Sequence, residues 1–123
     1  MKRIAIYIHH ARSGEWEMWQ PKMLQDYVCK QGGTVVGSYI EIGYVGQNRL
    51  RPNLERLLIE CESGNVDEVL ILNVSHLSRN TYEFIKIYER LKKCNVCLSV
   101  MQLGTSKNVD ETMTLLKAVS YGT

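Results

Sequence analysis

Near the start of the chain, Ile4, Ile6 and Ile8 alternate with Ala5 and Tyr7, so both faces of the segment are apolar. A strand buried on both sides of a sheet has this pattern. Apolar positions then shift to helical spacing. Pro21 suits a first helical position, Leu24, Tyr27 and Val28 form an inward stripe, and Gly32-Gly33 supplies a stop, which predicts a helix from about Pro21 to Gln31 preceded by a polar loop over Ser13 to Trp19. The β-branched run TVVGSYI predicts a strand over Thr34 to Ile40, and Glu41 to Arg51 follows as a long loop with two glycines. Pro52 opens the next helix. Its Leu54, Leu57, Leu58 and Cys61 fall on one face, and Gly64 ends it.

Val66 to Val74 is the most hydrophobic stretch and is expected at the centre of the sheet. Beyond it, Ser75 to Arg79 reads as a loop, and Asn80 with Glu83 three residues on reads as a capping box. Phe84, Ile87, Tyr88 and Leu91 repeat the helical stripe, and Lys92 and Lys93 suit a helix C-terminus. Val96 to Met101 is a fourth strand, Gln102 to Asn108 a polar loop, and a last helical pattern starts near Asp110. That final stretch is apolar over a broad arc (Met113, Leu115, Leu116, Ala118, Val119), which fits either an association surface or a helix packed into its own core. The order β-α-β-α-β-α-β-α predicts an α/β fold: an open, mostly parallel sheet of four strands, or five, with helices on both faces.

Composition changes this picture little. The 123 residues make one domain, 45% hydrophobic residues suffice for a core, and a net charge of +2 permits an anionic partner without demanding one. No apolar run approaches the ~18 residues of a membrane span, and the first strand is too short for a signal peptide. A cytoplasmic protein with no membrane association is expected. Cys94 and Cys97 have redox-pair spacing, but they lie between a helix and a strand, the reverse of the thioredoxin arrangement.

The chemistry is expected where strands end. In open α/β sheets the ligand site lies beyond the carboxyl ends of the strands. Three loops leave those ends: His9 to Ser13, Glu41 to Arg51 and Ser75 to Arg79. They carry Arg12, Arg49, Arg51 and Arg79 together with His9, His10 and His76. Guanidinium groups grip phosphate oxygens through paired hydrogen bonds, so the cluster reads as a phosphodiester site, with Arg12, Arg51 and Arg79 as phosphate ligands. The glycine signatures of nucleotide folds are missing. Three histidines could hold a metal, but His9 and His10, adjacent on a strand end, point to opposite faces. No cofactor is implied. A small phosphate- or metal-binding α/β protein remains the alternative from residue chemistry alone.

Taken in order, several segments resemble the catalytic domain of the serine recombinases, the resolvase and invertase group. They are IAIYI at the start, Gln20 and Leu24 to Tyr27, the Gly43 to Gly46 loop, Arg51-Pro52-Asn53-Leu54, and Leu77-Ser78-Arg79-Asn80. The resemblance spans nearly the whole chain, residues 1–123, cut off near the start of the long helix that normally carries the dimer interface. It implies metal-free phosphoryl transfer in which a serine beyond the first strand attacks the DNA phosphate and arginines stabilise the charge. It also implies DNA as a partner, bound weakly without a separate DNA-binding module, and association with itself or with a partner recombinase through the C-terminal helix.

The departures fall on the chemistry. A gap-free match from Tyr7 through Leu24 and Tyr27 puts Ala11 at the nucleophile position and His9 at an arginine. The family's Asp-Arg-Leu-Ser-Arg appears as Ser75-His76-Leu77-Ser78-Arg79, while Arg51 and Arg79 match. A methyl group cannot attack a phosphate, and histidine, with an ordinary pKa of about 6.5, is not a fixed cation near neutral pH. The expectation is a recombinase-like domain with impaired catalysis, a pseudoenzyme or a non-catalytic oligomerisation partner. Ser13, two residues downstream, is the candidate substitute nucleophile.

Overall fold

The computed structural model describes residues 2–10, 15–42, 51–72, 76–77, 80–102 and 105–108. The elements are β1 (Arg3–His10), α1 (Glu15–Lys30), β2 (Thr34–Ile42), α2 (Pro52–Glu62), β3 (Glu68–Ile71), α3 (Thr81–Lys93), β4 (Cys97–Gln102) and β5 (Thr105–Asn108). They build one sheet in the order β2-β1-β3-β4-β5. The first four strands are parallel and β5 runs antiparallel to β4. β3 is the central strand, as its hydrophobicity predicts, and all four of its residues are buried.

Alternation along the strands splits the core in two. Ala5, Tyr7, Val69, Ile71, Leu98 and Val100 face α2 and α3, with Leu54, Leu57, Leu58, Phe84, Ile85, Tyr88 and Leu91 packed onto them. Ile4, Ile6, Ile8 and Leu70 face the other way, against Leu24 and Val28 of α1. β1 therefore buries both of its faces, which explains its unbroken apolar run. The three helices end alike, on a residue in the left-handed region: Gly32, Gly64 and Asn95. Each is followed by an amide that reaches back to the last turn, from Gly33 to Val28, Asn65 to Glu60 and Val96 to Leu91.

Three expectations need correction. α1 begins at Glu15 rather than near Pro21, so Pro21 lies inside the helix and most of the expected Ser13–Trp19 loop is helical. Glu, Met and Gln in that stretch are good helix formers, and a proline past the first turn deletes one backbone bond without forbidding the helix. β2 runs on to Ile42, which takes Glu41 out of the loop. The polar Thr105–Asn108 stretch is a strand, paired from Gln102↔Thr105 to Ser99↔Asn108. Its order comes from backbone pairing, which a polar sequence does not advertise. The glycine loop over 43–46 and the C-terminal helical pattern from Asp110 lie outside the described residues. All four cysteines are free. Cys94 caps the end of α3 and Cys97 opens β4, the expected helix-to-strand context, and burial pushes the Cys61 thiol up to about 12.

Candidate active site

The site is assembled at the carboxyl edge of the sheet by β1, β2, the segment after β3, and the first turns of α2 and α3. Arg51 precedes Pro52, and a residue before proline is pushed out of helical conformation. It is accordingly extended (φ −129°, ψ 81°) and serves as the N-cap of α2 without a capping side-chain bond. The cap comes instead from β2. Glu41 is buried, and its carboxylate accepts from the Leu54 amide at 3.1 Å and the Asn53 amide at 3.4 Å. The Tyr7 hydroxyl, fully buried in β1, donates to the same carboxylate at 3.4 Å. Burial pushes the Tyr7 phenol far above its ordinary value; the Arg51 charge opposes that shift and Glu41 adds to it.

Arg51 is 9% exposed. One terminal nitrogen donates to the His76 carbonyl at 3.4 Å, and the other donates to Glu83 Oε1 at 2.7 Å. Glu83 belongs to the first turn of α3, where its amide is capped by the Asn80 side chain at 3.0 Å. That bond is one half of the expected capping box, while the Glu83 side chain is engaged by Arg51. The His9 amide donates to His76 Nδ1 at 3.2 Å. With Nδ1 as acceptor, the neutral His76 ring carries its proton on Nε2, and protonating Nδ1 would cost the bond to β1.

Of the residues singled out in the sequence, His9, Arg51 and His76 are brought into one hydrogen-bonded group. Ala11, Arg12, Ser13, Ser75 and Arg79 lie outside the described residues. Sequence reasoning missed Glu41, read as the first residue of a loop, and gave Glu83 only its capping role. Both act through partners remote in the chain; the Arg51–Glu83 separation is 32 residues. A carboxylate directly after a β-branched run was the one available signal for Glu41. Among the described residues, no group of three or more His, Cys, Asp or Glu side chains could hold a metal ion. The arrangement can do two things chemically. It fixes a guanidinium at the sheet edge, and it orients an imidazole beside it through Nδ1.

Comparison with known proteins agrees with this fold. The family model described as "Resolvase, N terminal domain" matches residues 17–120. Among solved structures, the chain is similar to the N-terminal catalytic domain of TP901-1 integrase, with 21% identity over 98% of this chain and 95% of that one and a TM-score of 0.80. It is also similar to a resolvase family site-specific recombinase from Streptococcus pneumoniae, with 20% identity, 98% and 87% coverage and a TM-score of 0.77. A third likeness is to the C-terminal catalytic domain of ISC1926 TnpA, an IS607-like serine recombinase, with 25% identity, 95% and 79% coverage and a TM-score of 0.69. No curated protein matches the sequence. At these identities the first two likenesses speak for the fold, and the family match, which contains Arg51, His76 and Arg79, speaks for descent. The chain belongs to the resolvase N-terminal domain family, the catalytic domains of the serine recombinases.

Proposed function

We propose that this domain keeps the scaffold of a serine recombinase and a place for the DNA phosphate backbone, and has lost or nearly lost strand cleavage. The observation that carries the reading is Ala11, which the sequence resemblance puts at the position of the attacking serine. Without a hydroxyl there, no phosphoserine link can form at that position. The surroundings support the same reading. By the same resemblance histidines replace two arginines, and one of them, His76, spends its Nδ1 on the His9 amide. Arg51 remains in place, and Arg12 and Arg79 are proposed as further phosphate ligands.

The test is incubation with supercoiled DNA followed by a search for a covalent protein–DNA adduct. None is expected. Ala11→Ser alone is expected to yield little, because the charge stabilisation around it is depleted, and the triple variant His9→Arg, Ala11→Ser, His76→Arg is expected to yield more. An adduct formed by the unaltered protein and abolished in Ser13→Ala would overturn the proposal and make Ser13 the nucleophile.

Association is the remaining activity in this reading, with a second copy or a partner recombinase, through the apolar arc of Met113, Leu115, Leu116, Ala118 and Val119. Sizing in solution with and without the residues after Asp110 tests it; an unchanged mass on truncation counts against it.

A further inference from the structure

We infer that Glu83 is a built-in competitor for the phosphate site: its carboxylate occupies the Arg51 nitrogen that a phosphodiester oxygen would take, and DNA must displace it. The inference rests on the reading of this edge as a phosphate-binding place. A carboxylate and a phosphate offer a guanidinium the same kind of paired oxygens, so they compete for one set of N–H donors. Here the carboxylate is already seated, at 2.7 Å.

The two partners differ in freedom. The Arg51 side chain is 8% exposed and braced by its second bond, to the His76 carbonyl, and its backbone is fixed by Pro52. The Glu83 side chain is 40% exposed. Its helix is capped through the Glu83 amide, so the carboxylate can turn to water without uncapping α3. Exposed side chains exchange rotamers quickly, so Glu83 is the partner that yields.

Charge points the same way. Among the described side chains here, one guanidinium is set against two carboxylates, Glu41 and Glu83. A phosphodiester brings a further negative charge. Glu41 is buried and held by two α2 amides and the Tyr7 hydroxyl, so it cannot turn away as Glu83 can. Removing the Glu83 charge leaves one cation against one anion, and a neutral side chain is a weaker rival for the guanidinium.

Two titrations test this, each on the unaltered protein and Glu83→Gln. In the first, orthophosphate is added and the Arg51 Nε–Hε resonance is followed. Glu83→Gln is expected to bind severalfold tighter, the equivalent of one displaced, half-exposed ion pair. Unchanged or weaker binding overturns the inference, because a merely structural Glu83 would not tighten the site when removed.

In the second, a labelled DNA duplex is titrated at several salt concentrations. The same gain is expected, with the log–log salt slope little changed, because Arg51 meets the backbone in both proteins once Glu83 has yielded. The gain should vanish when Arg51→Ala is the background. An equal gain in that background overturns the inference, since it would reflect net charge alone. Tighter orthophosphate binding with no duplex bound by either protein supports the competitor and rejects the DNA reading. Duplex binding that needs Arg51 but ignores Glu83→Gln does the reverse.

Discussion

At the amino edge of the sheet, Arg3 and Asp67 meet through four hydrogen bonds of 2.8 to 3.1 Å: two from the guanidinium and one from the Arg3 amide to the carboxylate, and one from the Asp67 amide to the Arg3 carbonyl. Lys2 and Glu68 pair beside them at 2.9 Å. At the carboxyl edge, Arg51 has a single carboxylate contact to Glu83 and a longer bond to a carbonyl. By count and geometry the amino-edge pair is the better one. It is also open to water, with the Arg3 and Asp67 side chains 46% and 38% exposed, against 8% for Arg51. Exposed pairs gain little over their hydrated states, whereas a buried cation without its partners is costly. The Arg3–Asp67 contact therefore acts as a staple between β1 and the start of β3, and the Arg51 contact defines a site.

The largest expected effect lies between the two edges. β3 carries Glu68 at its amino end, and the chain beyond it reaches His76 at the carboxyl edge. Leu70 in its middle is fully buried against the α1 side of the core. Leu70→Ala is expected to cost about 2–5 kcal/mol in urea denaturation, the range of large-to-small changes in packed cores. A cost near zero would mean that β3 is not the strand that joins the edges.

Next comes Arg51→Ala, expected to cost about 1–3 kcal/mol. It strands the partly buried His76 carbonyl, while Glu83, being half open, recovers water. Arg3→Ala should cost clearly less by the same measurement. If the two costs are equal, or reversed, burial is not what separates the edges.

The chain showed some of this plainly and some not at all. β1 and β3, and α2 and α3, were legible because their apolar periods are strong and their ends carry recognisable signals in Pro52, Gly64 and Asn80. The start of α1 was not, because Pro21 weighs heavily in a local reading and the backbone tolerates it. β5 was not, because Thr105–Asn108 has no apolar alternation and is ordered by pairing with β4. At the site, loop order after strand ends was enough to place His9, Arg51 and His76 together. The carboxylates that govern them were hidden. Glu41 caps a helix through the Leu54 amide, 13 residues further along the chain, and Glu83 answers an arginine at the start of another helix. Such pairings exist only once the sheet has brought the segments together, so no local pattern carries them.

The smallest effect gives the sharpest contrast, through pH. Hydrogen bonds from the Arg3 side chain, then from its amide, pull the Asp67 carboxyl down from an ordinary 3.8 to about 2. A carboxyl more acidic in the folded than in the unfolded chain binds fewer protons when folded. Its contribution is therefore complete above the unfolded value and is lost as pH falls through the folded one. Asp67→Asn removes that charge. The variant is expected to melt slightly below the unaltered protein at pH 7, by the same margin down to about pH 4. The margin should then shrink and close near pH 2. Added salt at pH 7 should also narrow it, because the pair is in water. A margin that persists unchanged at pH 2 would show that Asp67 acts through shape rather than charge. No margin at pH 7 would show that the staple is idle and that the amino edge is held by β1–β3 backbone pairing alone.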